Sequence, residues 1–257
     1  MRRGLAGVVI AAVVLSACTK FEAVEVADAG SNADADAGAD AARDGSSSGG
    51  FCASKPGHSF CADFDHGIEK DWLPIVPAKP TSGDVSLDPI AVSSPASARM
   101  QKPAGGVDCE YVQLAKSFPT EASGMRVELD VQVGTSLDAA GADVVRVGAG
   151  ECAYLVYLST QEARVLEQRL TTNNVTDGRS HDIVAPPPSG KWAHVMMEVD
   201  WVARTMSLSM NGALAFGPDP MSIGCPRSAP SVRVGLHCID KAVAAEVRID
   251  NVLVDLF

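Results

Sequence analysis

Cysteines, carboxylates, histidines and aromatics are the residues of this chain that could carry chemistry, and the seven cysteines say most. A thiol can be acylated, oxidised to a disulfide or bound to zinc, and spacing separates these uses. Cys18 stands apart, directly after the small residues Ser16 and Ala17. Cys52, Cys61, Cys109, Cys152, Cys225 and Cys238 form an even set without C-x-x-C or C-x-x-H spacing, which argues against zinc and for three disulfides in an oxidising compartment. Connectivity stays open; pairing of neighbours (Cys52 with Cys61, Cys109 with Cys152, Cys225 with Cys238) is the simplest expectation, each bridge stabilising by roughly 2.5 to 4 kcal/mol. Glu198 and Asp200 stand two apart, so on a strand they share a face, as two carboxyls acting on a glycosidic bond could. His58, His66, His181, His194 and His237 form no H-E-x-x-H pair, and no G-x-S-x-G elbow, P-loop or dinucleotide fingerprint occurs.

Cys18 gains meaning from what precedes it. Arg2-Arg3, the apolar run Leu5 to Leu15 and Ser16-Ala17 make the charged, apolar and small-residue parts of a secretory signal. The run is too short to span a bilayer, which takes about 20 apolar residues. Leu15-Ser16-Ala17-Cys18 resembles the lipobox of bacterial lipoproteins. The resemblance implies cleavage after residue 17, acylation of Cys18 and a membrane as partner; with Thr19 next rather than Asp, it favours the outer membrane over the inner.

Residues 18–50 are rich in Ala, Asp, Gly and Ser, with Asp28, Asp34, Asp36, Asp40 and Asp44 and then Ser46 to Gly50. So little apolar surface cannot offset chain entropy, so a disordered linker is expected. As a flexible coil it reaches roughly 30 Å. The whole chain carries 21 basic and 32 acidic residues, net −11. Removing Arg2 and Arg3 leaves 19 against 32, or −13. That balance excludes a general electrostatic footprint for nucleic acid or anionic lipid.

The elements that must position these side chains are strands. Residues 51–257 hold short alternating or β-branched runs punctuated by Gly, Pro, Asn and Asp, and little helical periodicity. Strands are expected near 59–65, 97–102, 111–118, 124–134, 143–148, 153–159, 163–171, 180–184, 192–201, 204–210, 213–216, 231–237 and 244–256, which describes one all-β antiparallel sandwich. The clearest stretch runs from Trp192 through the turn Val202 to Thr205 and back along Met206 to Met210, where Asn211-Gly212 starts another hairpin.

That stretch, Lys191 to Gly212, resembles the W-x-H-V…D…N-G signature of laminin G-like domains in the concanavalin A-like lectin/glucanase superfamily. Phe60 to Asp65 and Val247 to Val254 are similar to that superfamily's first and last strands. The resemblance implies a jelly roll of two stacked antiparallel sheets, one of them concave, and a glycan groove on the concave sheet. It places Trp192 and His194 in the core strand as interior residues. It also implies a structural Ca²⁺ held by Asp63, Asp65 and Asp250.

Aromatics that could stack on sugars are scarce, at 5% of the chain. An odd spacing sends Trp192 and Trp201 to opposite faces of an unbroken strand, and does the same to Tyr154 and Tyr157. Trp201, Tyr154 and Tyr157 are therefore the candidate ligand contacts, with at most one of the two tyrosines in a groove. Glucanases of the superfamily carry E-x-D-x-x-E; here Glu198 and Asp200 are followed by Ala203 where the acid should stand, so no catalytic residue is assigned. The expected function is a membrane-anchored, non-enzymatic envelope module for a polysaccharide or an envelope protein. The alternatives are a degenerate or active glycan-cleaving enzyme and a structural lipoprotein without a small ligand.

Overall fold

A computed structural model describes residues 50–68, 72–76, 83–105, 109–134, 137, 141–171, 174–183, 185–239 and 242–257, apart from the side chains of 171, 174 and 238. The expected signal segment 1–17, Cys18 and linker residues 19–49 lie outside the described residues. After a 3-10 turn at Phe51–Ser54 come β1 (Phe60–Ala62), β2 (Leu73–Ile75), β3 (Asp84–Asp88), β4 (Ser97–Lys102), β5 (Glu110–Ser117), β6 (Gly124–Val133), β7 (Ala142–Ala149) and β8 (Cys152–Leu158). They are followed by β9 (Ala163–Thr171), β10 (Asn174–Ile183), β11 (Trp192–Asp200), β12 (Thr205–Met210), β13 (Ala213–Pro220), β14 (Pro230–Ile239) and β15 (Ala245–Leu256).

Two antiparallel sheets result. One has the order β13-β12-β11-β6-β15-β4-β3, with β1 also paired to β15; the other runs β10-β9-β8-β7-β14-β5-β2. β15 pairs β4 through Ala245 to Ile249 and β1 through Val252 to Val254. The change of neighbour falls at Asp250-Asn251, where the ladder to β6 shifts register and Asn251 adopts φ 53°.

Period-2 alternation sets the core. Val127, Leu129, Val131, Val195, Met197, Val199, Met206 and Leu208 from the first sheet meet Val112, Leu114, Val145, Val147, Tyr154, Val156, Val232 and Val234 from the second, and all are buried. Burying such side chains contributes roughly 1.5 to 3 kcal/mol each before the entropy of ordering the chain.

The strand expectations fail only at sheet edges. β2 and β3 were not foreseen, β10 begins six residues before 180, and β13 extends four past 216. These are the four edge strands of the two sheets. An edge strand buries little, so its sequence is under weaker constraint: β3 buries only Asp88, and β13 has no buried residue.

Cys52 and Cys61 are bridged, as neighbour pairing proposes. The other two neighbour pairs are corrected, because Cys152 is bridged to Cys225 across 73 residues. Cys109 is also disulfide-bonded, and the Cys238 side chain lies outside the described residues. The long bridge follows from packing. The segment after β13 lies on β8 and β9, where Glu167 accepts the N–H groups of Ser222 and Ile223 at 2.8 and 3.0 Å and Tyr154 donates its hydroxyl to the Ile223 carbonyl at 3.1 Å.

Candidate functional site

The outer faces of the two sheets differ in kind. On the eight-stranded sheet the outward residues of β6, β11, β15 and β4 neutralise one another. Arg126 pairs with Glu198, His194 with Asp130, and Arg248 and Arg99 with Asp88 and Glu246. Most are partly solvated, and surface pairs of this kind contribute little beyond solubility.

The seven-stranded sheet carries a sheltered polar set instead. Register aligns Ala115, Arg233, Arg146, Leu155, Leu166 and Ser180 across β5, β14, β7, β8, β9 and β10. The next row is His237, Asp143, Tyr157, Arg164 and Asp182. Alternation points these side chains away from the inter-sheet core, to which Val145, Val147, Val156, Val232 and Val234 belong. Leu155 lies on this outer face, yet it has no exposed surface. Neighbouring side chains therefore cover this part of the face.

Arg146, only 6% exposed, stands directly opposite Arg233. Burial, then the charge of Arg233, brings the Arg146 guanidinium down to about 10, while Asp143 pulls the other way. Burial likewise lowers Arg233, opposed by Tyr111. Asp143 is itself engaged, its Oδ2 lying 3.0 Å from His237 Nδ1. Gln113, on the same face of β5, is 1% exposed, and its Oε1 has no hydrogen-bond partner among the described residues. Tyr157 lies beneath the Arg164 guanidinium, 5.9 Å from the ring centre, and burial, then the charge of Glu162, raises its pKa. Bidentate donors, a buried acceptor and an aromatic ring thus line one sheltered surface.

Of the three aromatics expected to touch a ligand, Tyr157 alone reaches this face. Trp201 is a correction: it continues the inward parity of Ala193, Val195, Met197 and Val199, is 1% exposed, and donates its indole N–H to the Ala122 carbonyl at 2.7 Å. Tyr154 is a second, with its ring in the core and its hydroxyl 2.9 Å from Cys225 Sγ. Trp192 and His194, expected inside, take the outward parity of β11; Trp192 is half-buried and His194 exposed. The hydrogen bond that His194 makes to the Asp130 carboxylate raises the His194 pKa.

Glu198 and Asp200 lie on the other sheet, and both are engaged in hydrogen bonds. Glu198 accepts from Arg126 at 2.9 Å, while Asp200 caps the turn through the N–H groups of Val202 and Ala203.

The three acids expected to hold Ca²⁺ do not converge. Asp250 is buried and its carboxylate is filled: Oδ2 accepts from Val92 and Ser93 N–H at 2.8 and 2.9 Å, and Oδ1 from Asn251 N–H at 2.9 Å. Asp63 accepts from the N–H groups of Cys52 and Asp65. Asp65 is raised by burial and then by the Asp63 charge, as two carboxylates side by side require. Among the described residues no three His, Cys, Asp or Glu side chains are grouped to hold a metal.

Arg146, Arg233 and Gln113 were not singled out from the sequence, although a signal was there. Val145-Arg146-Val147-Gly148 and Val232-Arg233-Val234-Gly235 each set an arginine between β-branched residues that an interior strand would bury.

No known protein family matches the chain, and no curated protein does. Solved structures match its fold. The cellulose induced protein Cip1 is 16% identical with a TM-score of 0.60, over 76% of this chain and 96% of its own. A Bacteroides ovatus GH16 protein of a mixed linkage glucan locus is 10% identical with a TM-score of 0.54, over 76% of this chain and 99% of its own. The binding domain of botulinum neurotoxin serotype G is 11% identical with a TM-score of 0.50, over 78% of this chain and 48% of the other. The fold is an all-β jelly-roll sandwich of the concanavalin A-like type.

Proposed function

We propose that this chain is a lipid-anchored module of the bacterial envelope that binds a saccharide, without cleaving it, on the outer face of its seven-stranded sheet. One observation carries the reading: Gln113, Arg146, Asp143 and His237 are sheltered polar groups on that face, whereas the other sheet's outer face is a charge-matched, partly solvated ladder. Ligand sites place a few polar groups in an otherwise sheltered surface, and a purely structural face has no use for a buried acceptor without a partner. Support also comes from the Bacteroides ovatus protein of similar fold, solved in complex with a G4G4G3G product. The likeness is one of fold, and function lives in the site. Support for binding without hydrolysis comes from the carboxylates: Glu198 and Asp200 are engaged on the opposite sheet, and Asp143 is held by His237.

The test is retention of the full-length chain, purified in detergent, on a panel of immobilised polysaccharides. Wild type and Glu198→Gln are expected to be retained by the same saccharides, and Tyr157→Ala and Gln113→Leu to lose them. Wild type retained by none of the panel, or all four proteins retained equally, overturns the proposal.

A further inference from the structure

Apolar side chains scattered singly over a surface need no explanation, but a cluster of them does. Leu87, Ile90 and Val92 are exposed by 46%, 49% and 50%, within a short stretch that begins in β3 and runs into the loop after it. β3 is the last strand of the eight-stranded sheet. Leu87 pairs with Ala98 and shares its core parity, yet at the margin of the sandwich it is left uncovered. Residues 85–98 contain a single charged side chain, Asp88, in a chain of 21 basic and 32 acidic residues. That one is buried and paired with Arg248.

The backbone of the loop turns its polar groups the other way. The Ile90 N–H donates to Asp88 at 2.8 Å, and the Ile90 carbonyl accepts from the Ser97 hydroxyl at 2.7 Å. The Val92 and Ser93 N–H groups donate to the buried Asp250. Unsatisfied backbone groups are what bars an ordinary loop from lipid, and here they are satisfied from within the protein. The path of the chain says which surface the loop meets. A Cβ placed on Gly50, the first described residue, would lie 2.6 Å from Asp65 Oδ2 and 2.7 Å from Asp63 Oδ2. The Asp65 carboxylate in turn takes a hydrogen bond from the backbone of Ala96, at the far end of the same loop. The chain that leads back to Cys18 therefore departs beside the loop. As the coil its composition implies, that linker reaches roughly 30 Å, which keeps the loop within range of the leaflet holding Cys18.

We infer that Leu87, Ile90 and Val92 form a membrane-resting edge, seated in the headgroup region of the leaflet that carries the lipid on Cys18. The inference rests on the anchor proposed above and adds an orientation to it. Three half-exposed side chains do not hold a protein on a bilayer, since even one myristoyl chain binds only marginally. The acyl chains supply persistence and the loop supplies direction. Because the loop is uncharged, zwitterionic lipid suffices.

The experiment reconstitutes the full-length chain, recovered from membranes in detergent, into vesicles of phosphatidylethanolamine and acyl-brominated phosphatidylcholine, in which bromine quenches tryptophan emission on contact. Ile90→Trp and Val92→Trp should each lose emission beyond the loss seen in wild type. Leu214→Trp, exposed on β13 at the opposite edge of the same sheet, should not. Ile90→Asp added to Val92→Trp should abolish the loss. Two tryptophan positions keep the test readable if one variant does not fold. In vesicles that retain the chain, two outcomes overturn the docking and leave anchor and saccharide binding standing: Ile90→Trp and Val92→Trp quenched no more than Leu214→Trp, or quenching unchanged by Ile90→Asp. Absence of quenching together with a two-chain mass in detergent that Ile90→Asp halves would assign the edge to a second copy, and overturns the docking as well. A chain that the vesicles do not retain overturns anchor and docking together, while saccharide binding is read separately on the polysaccharide panel.

Discussion

Asp250 is a carboxylate on which opposing effects meet. It sits where β15 changes partner, and the N–H groups of Val92, Ser93 and Asn251 all donate to it. Those bonds favour the charged form, but burial and the charge of Asp130 outweigh them and raise its pKa to about 6 from an ordinary 3.8. Because the folded value is raised, the stability linked to this group is fully present below about pH 4 and is lost as pH rises through about 6, with no further change above. An NMR titration of the side-chain carboxyl is expected to give a midpoint near 6, and the fall in urea midpoint between pH 4.5 and 7 should be smaller in Asp250→Asn. A midpoint at or below 4 would show that the hydrogen bonds win. Trp201 shows the same competition settled by geometry, since the Ala122 carbonyl lets an indole be buried with its N–H satisfied.

Among the elements, the long disulfide does what no single strand can. Cys152, at the start of β8, is tied to Cys225 ahead of β14, closing 73 residues that include β8 to β13. Loop-closure entropy assigns such a bridge about 4 kcal/mol, against about 2.5 for the nine-residue separation of Cys52 and Cys61. The double variant Cys152→Ala/Cys225→Ala is therefore expected to lose more unfolding free energy than Cys52→Ala/Cys61→Ala, as read by urea denaturation; the reverse order would mean that the unfolded chain is already compact around β8. Central strands such as β11 and β12 were legible because a buried face enforces alternation. Edge strands β2 and β3 were not, and β10 and β13 were legible only in part, because an edge strand buries little and its sequence is less constrained. The site follows the same division. The parity of Tyr157 on its strand could be read from the sequence, but the burial of Arg146 could not, because parity gives the side of a strand and says nothing of what shelters it.

For the whole molecule, the anchor and the sandwich form one proposal. A lipid on Cys18 would hold the sandwich at a membrane through a linker of roughly 30 Å reach, leaving the outer face of the seven-stranded sheet free to meet a polymer. Growth with a fatty-acid probe is expected to label the wild-type chain and not Cys18→Ser; equal labelling of both would remove the anchor while leaving the saccharide site untouched. What the sequence determined by itself was local and periodic: strands in the interior of the sheets, an all-β antiparallel class, disulfides from an even set of cysteines, and the pattern around Cys18. Each is set by neighbours along the chain or by period-2 alternation, so each is written in consecutive residues. Tertiary structure alone decided the rest. It brought Cys152 to Cys225, turned Trp201 inward and Trp192 outward, and set Arg233 beside Arg146, residues 87 positions apart. Those outcomes depend on which strands become neighbours, and that follows from the free energy of the packed sandwich as a whole, not from any one segment.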